Sequence, residues 1–226
     1  MFTYLLSVIP PMLLGAQLIL LLILLKGDIC PGQRGRIHKQ LPIIALGWLG
    51  LGFLYWPLTL VGVLMLVFFS QVKVSKTRDS GPIWLLYFAI AAASIFNIQL
   101  MLAGDWGNML FMLVVMVILG ASLSHFFLLL ARTRLQAFHR LLPVAVIIGA
   151  ILITVVVLLQ AFQYSMSYVN QIIVPLMVCY MSLIASVVFS SWHLFTQQTI
   201  QKTQPFCGFI VCLTSVIGFS ALLFQF

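Results

Sequence analysis

The sequence predicts an all-α fold, a polytopic transmembrane bundle of eight helices with both termini outside the cytoplasm, built as a single integral membrane domain over residues 1–226. Three observations carry that expectation. Hydrophobic residues fill 63% of the positions and charged residues only 6%, which leaves too little polar surface to coat a soluble domain of this size. Apolar runs recur at about the 20-residue length that a helix needs to cross the hydrocarbon layer. The eleven Lys and Arg fall in short clusters between those runs, a pattern of membrane topology rather than of a phosphate-reading groove. The net charge of +8 therefore points to lipid as a partner and away from nucleic acid.

Residues 2–25 form the first apolar run. No basic stretch precedes it, so it is expected to be retained rather than cleaved as a signal peptide, and Pro10-Pro11 should kink it. Further runs occupy residues 83–103, 109–131, 142–162, 171–195 and 206–226. Residues 41–72 are apolar for 32 positions with Trp56-Pro57 at their centre, and could be one kinked helix or a hairpin of two short ones. Charge separates the two. The basic clusters are Lys26, Arg34, Arg36 and Lys39; Lys73, Lys76 and Arg78; Arg132, Arg134 and Arg140; and Lys202. A hairpin gathers all eleven on one face, whereas a single helix splits them seven against four. Short loops rich in Lys and Arg stay cytoplasmic, which selects the hairpin and puts outer loops at 55–58, 104–108 and 163–170. Proline at the turn agrees, because the residue before it is driven from the α region. Tyr4, Tyr55, Trp56, Trp106, Tyr164 and Tyr168 then fall at the outer interface, and Trp84 and Trp192 at the inner one.

Polar side chains at membrane depth are the informative positions for function. No Asp, Glu, Lys or Arg lies within an expected span, which argues against proton or ion coupling through intramembrane carboxylates. His125 and His193 are candidates for a bis-imidazole b-type haem or for a quinone hydrogen bond, set against the plainer reading of neutral packed histidines; His38 and His139 fall in basic loops and should be solvated. Asn97 and Gln99, with Asp105, Trp106 and Asn108, form a polar patch near the outer face that could hydrogen-bond a quinone head group or simply cap a helix. Cys179, Ser182, Ser186 and Ser190 repeat at helical spacing, as do Gly208, Cys212, Ser215 and Gly218, which fits close helix packing. Cys30, Cys179, Cys207 and Cys212 lack metal-type spacing and are expected to pack as small apolar groups.

Two stretches carry a family resemblance. Val117-Ile118-Leu119-Gly120, Phe127-Leu128-Leu129-Leu130, Arg140-Leu141-Leu142-Pro143 and Leu159-Gln160 resemble the central helices of the dimethyl sulfoxide reductase membrane anchor (DmsC-type) family. Gly15-Ala16-Gln17 and Leu24-Leu25-Lys26-Gly27-Asp28 are similar to that family's first helix and its exit. The resemblance implies a haem-free anchor that docks an iron–sulfur subunit and a molybdopterin catalytic subunit and passes them electrons from menaquinol in anaerobic respiration. It does not extend to the histidine and acidic residue of the family's quinol site, since residues 41–72 hold neither and Trp56-Pro57-Leu58-Thr59 stands there instead. The alternative is a stand-alone polytopic protein, a transporter, channel or assembly factor, without redox partners.

Overall fold

A computed structural model describes residues 2–27, 29–72, 81–132, 135–196 and 203–224, and every regular element among them is helical. In chain order these are α1 (Phe2–Lys26), α2 (Pro31–His38), α3 (Leu41–Gly52), a 3-10 turn (Trp56–Leu58), α4 (Thr59–Gln71), α5 (Ile83–Ala103), α6 (Trp106–Leu130), α7 (Gln136–Ala161), α8 (Met166–Thr196) and α9 (Thr203–Leu223). Six of them, α1 and α5 to α9, are long and apolar enough to cross a membrane. The backbone of α1 stays helical through Pro10 and Pro11.

Residues 41–72 form a hairpin. Phe53 and Leu54 close the last turn of α3, Tyr55 is extended, Trp56 before Pro57 opens the 3-10 turn, and α4 returns alongside. The two helices touch backbone to side chain, because a Cβ on Gly62 would stand 2.9 Å from the Ala45 carbonyl oxygen and 2.7 Å from Leu49 Cγ. With 12 and 13 residues they are about 18–20 Å long. The tip reaches Phe96, whose ring lies 5.2 Å from that of Tyr55. Gln99, one turn nearer the end of α5, also borders the tip.

The centre of the bundle is α6, buried along most of its length between α1, α7 and α9. Lipid offers apolar side chains as good a home as a neighbouring helix does, so helix association in membranes depends on close packing and hydrogen bonds. Both are visible. A Cβ on Gly120 would lie 2.7 Å from the Gly15 backbone, so α1 and α6 cross with backbones in contact. Gly149 brings α7 equally close to Ile118. Trp48, fully buried in α3, donates its Nε1–H to Gln17 of α1 at 3.2 Å, and the Ser7 and Ser220 hydroxyls meet at 2.9 Å between α1 and α9.

The two expected small-residue stripes face one another. Gly208 packs on Ser190, Cys212 on Ser186 and Gly218 on Cys179, while the Ser215 hydroxyl donates to the Cys179 carbonyl at 2.7 Å. The descending index on α8 against the rising index on α9 makes the pair antiparallel. Tyr164 in the turn before α8 and Tyr168 in its first turn tie that end to the far end of α9 by donating to the Leu223 and Leu222 carbonyls, each at 2.8 Å.

These contacts give the bundle two unlike ends. At one end Arg36 donates to the Arg132 carbonyl at 3.0 Å, the His38 ring meets Phe68, and His139 meets His193. Every described Lys and Arg, namely Lys26, Arg34, Arg36, Lys39, Arg132 and Arg140, is at this end. The other end holds the hairpin tip, the α7–α8 turn and Asp105, which caps α6 by accepting from the Asn108 N–H at 2.9 Å. Lys73, Lys76, Arg78, Arg134 and Lys202 lie outside the described residues. Exposed Trp84 and Trp192 mark the basic end and exposed Tyr55, Trp56 and Trp106 the opposite one, the belts that amphipathic rings form at interfaces.

Candidate functional site

Three histidines meet at the basic end of α6, α7 and α8. The His125 ring centroid is 5.8 Å from that of His139 and 5.6 Å from that of His193, and all three side chains are buried. His193 Nε2 lies 3.2 Å from the His139 carbonyl oxygen, so Nε2 carries the proton and Nδ1 is left as the acceptor in the neutral ring. His125 is 1% exposed and its Nε2 has no partner, an unusual state for a buried polar atom.

The expectation for His139 is overturned. Instead of a solvated loop residue it is a buried residue of α7, which begins six residues before the apolar run does. The signal was present in the sequence, because positions 139, 142, 146, 153 and 157 repeat at helical spacing and all are buried. His38 departs in the same way. It is 1% exposed at the end of α2, set edge-on to Phe68 at 5.5 Å. Burial first, and the nearby Arg34 guanidinium second, lower its pKa from 6.5 to about 4.

His125 of α6 and His193 of α8 meet ring to ring. Their contact does not fit a haem between them, because axial ligation needs a ring nitrogen of each turned to a common iron, while the rings lie at 43° in direct contact and His193 Nε2 faces a carbonyl. Among the described residues no group of three His, Cys, Asp or Glu is arranged to hold a metal ion. What the cluster does provide is three adjacent imidazole rings whose nitrogens can donate or accept hydrogen bonds near the interface.

Asn97 and Gln99 separate. Two residues along a helix turn through about 200°, so Asn97 points into the bundle and Gln99 out of it. The Asn97 amide donates to Ala93 of its own helix at 2.8 Å, leaving Oδ1 without a partner. Gln99 lines a groove of about 210 Å³ beside the hairpin tip with Tyr55, Pro57 and Phe96. The two do not converge on one head group. A larger groove of about 460 Å³ runs between α7 and α8, walled by Ile147, Ile151, Val155, Tyr180, Ile184 and Val188. It is wide enough for a lipid or isoprenoid chain and offers such a ligand almost no polar contact.

A helical bundle with long apolar helices, a single basic end and buried neutral polar contacts defines the class of multi-pass integral membrane proteins. The chain belongs to a family of integral membrane domains, whose sequence pattern matches residues 3–214. It is similar to a protein of Haemophilus influenzae named only as an uncharacterized protein, at 37% identity over 150 residues. That match covers 60% of this chain and 54% of the relative, so the chain spans about half the length of the curated relative it matches. No solved structure matches.

Proposed function

We propose that the chain acts as a stand-alone polytopic protein of the bacterial inner membrane, of the transporter, channel or assembly-factor class, and that it works without ion coupling or redox partners. One observation carries this reading: along the six long helices the only charged side chains are Lys26 and Arg140, both at the basic end. Buried polar groups are instead spent between helices, as in Gln17–Trp48, Ser7–Ser220 and Ser215–Cys179. In this reading α3 and α4 are two short crossings, the basic end faces the cytoplasm and both termini lie outside, making eight crossings.

Two experiments test it. With Cys30 and Cys207, both exposed, replaced by serine, cysteines placed at Lys39 and Arg140 should react only from the cytoplasmic side, and those at Trp56 and Asp105 only from the other. Labelling of positions 56 and 140 from one side would exclude the eight-crossing arrangement. Purification in a gentle detergent should return this chain as the sole polypeptide, and recovery of a stoichiometric iron–sulfur subunit would overturn the stand-alone reading.

A second reading is the DmsC-type anchor, with menaquinol as substrate and iron–sulfur and molybdopterin subunits as partners. It is favoured by the apolar groove between α7 and α8, which would accept an isoprenoid tail, and by the quoted likeness across α6 and α7. His125 and His193, or Asn97 and Gln99, would then be the residues contacting quinol. It requires menaquinol oxidation that is lost with the chain and that the purified partner subunits cannot perform alone.

A further inference from the structure

We infer that the basic end carries a specific site for the phosphate head group of an anionic phospholipid, in the leaflet bordering that end. The site is a pocket of about 290 Å³ lined by Arg36, Lys39, Gln40, Leu130, Ala131 and Arg132. Its position in the bilayer follows from its elements. Gln40 immediately precedes the apolar helix α3, and Leu130 is the last residue of α6, so the pocket sits where apolar side chains give way to the charged loops. That is the depth of lipid phosphates.

The polar lining suits an anion. Arg36 bridges from α2 to the turn after α6 and spends one of its five N–H donors on the Arg132 carbonyl. This ties α2 to the turn after α6 at one wall of the pocket, whose lining includes three cationic residues, Arg36, Lys39 and Arg132. All three side chains are exposed, and among the described residues none of them has an acidic partner, since Asp105 is at the opposite end and Asp28 and Asp79 lie outside the described residues. Gln40 supplies a neutral group. It is 8% exposed and its side-chain oxygen has no partner, and because an amide can turn over, its NH₂ can face an acceptor instead. Arg132 has φ 50°, a left-handed conformation disfavoured for any residue with a Cβ. A glycine would suit that turn better, so the side chain at 132 is present in spite of the backbone.

The apolar half of the ligand is also provided for. Leu130 is 41% exposed at the pocket's edge, and α1, which packs against both α3 and α6, exposes Leu18, Leu22 and Leu25 in one stripe toward the same end. A free phosphate ion would gain nothing from these leucines, whereas a phospholipid would lay its acyl chains along them. Basic pockets between helices on the cytoplasmic side recognise anionic head groups in this way.

The test is a titration of the full-length, delipidated chain in neutral detergent, followed by native mass spectrometry, with phosphatidylglycerol, phosphatidylcholine and inorganic phosphate as separate probes. Phosphatidylglycerol should bind more tightly than phosphatidylcholine, and high salt should weaken that preference. Arg36→Gln, Lys39→Gln and Arg132→Gly should each reduce phosphatidylglycerol affinity by about fivefold, with phosphatidylcholine binding unchanged. The last of these relieves the backbone, so a folding defect cannot account for its effect. Equal affinity for the two lipids would overturn the proposal, as would variants that keep the full preference. So would inorganic phosphate displacing phosphatidylglycerol at equal concentration, which would assign the pocket to a soluble anion.

Discussion

Replacing Gly120 by alanine tests the claim that α1 and α6 are held by backbone contact. The new methyl group would stand 2.7 Å from Gly15 Cα and carbonyl carbon and 3.0 Å from the Ala16 nitrogen, whereas ordinary contact begins at 3.4 Å. All three obstacles are backbone atoms, so no rotamer change relieves them, and the helices must part by about 0.7 Å. A gap of that size forfeits a quarter to a half of each dispersion contact it opens. It also carries the Ser124 hydroxyl, already 3.4 Å from the Ala16 carbonyl, out of hydrogen-bond range. Overpacking of this kind costs about 1–3 kcal/mol, and the better helix propensity of alanine returns up to about 1 kcal/mol. The net loss should be about 1–2 kcal/mol, a roughly 5- to 30-fold fall in the folded-to-unfolded ratio. Unfolding by sodium dodecyl sulfate in mixed micelles, followed through the fluorescence of buried Trp48, reads it directly. Gly50→Ala is the matched control, because a Cβ there meets nothing within 4 Å and should be neutral or stabilising. In the double variant Gly15→Ala/Gly120→Ala the second change should cost less than the first, since the helices have already parted. If Gly120→Ala and Gly50→Ala unfold at the same detergent fraction, the close crossing is not what holds these helices together.

Gln17→Leu should destabilise the chain by about 1 kcal/mol, because buried Trp48 loses the acceptor for its N–H; a Trp48→Phe background in which Gln17→Leu costs as much would refute the pairing. His38 should make stability depend on pH. Its folded pKa of about 4 lies below the ordinary 6.5, so the neutral ring stabilises the fold fully above pH 6.5, and that contribution is lost as pH falls toward 4. The total is on the order of 3 kcal/mol, and His38→Gln should flatten the slope in that window relative to the parent chain; identical slopes would show that His38 does not set it. Tyr164→Phe and Tyr168→Phe remove the ties to the Leu223 and Leu222 carbonyls, and faster amide hydrogen exchange in the last turn of α9 should follow. Unchanged exchange there would mean the two hydroxyls do not anchor that end.

The bundle was legible where one physical signal dominated. Charge position selected the hairpin in residues 41–72, and spacing marked Cys179, Ser182, Ser186 and Ser190, and Gly208, Cys212, Ser215 and Gly218, as close-packing stripes, although only the structure shows that the two stripes face each other. Helix starts were less legible, because a helix can begin several residues before its apolar content does, as α7 does at Gln136. In α7 the polar first turn carries Arg140 outward and His139 inward, so composition reads as a loop what periodicity reads as a helix. The histidine cluster was half visible for the same reason. His125 and His193 stood out as polar residues in apolar runs, but their meeting depends on how far α8 extends past the point where α7 begins. Asn97 and Gln99 show the opposite failure: proximity in sequence suggested one site, and two residues of helical rotation divided it.

The hairpin has a consequence for the surrounding lipid. Its tip lies beside Phe96 and Gln99 and carries exposed Phe53 and Trp56, while α5 continues about one turn beyond Gln99. In the eight-crossing reading proposed above, a bilayer meeting this flank would find a shorter apolar wall formed by two helices of 12 and 13 residues, and would dimple to match it at a cost that grows with each ångström. Two copies that turn their low flanks toward each other share one depression instead of two. Short-chain lipids would gather there, and longer-chain lipids would press the molecules into pairs without any protein surface having been shaped for dimerisation.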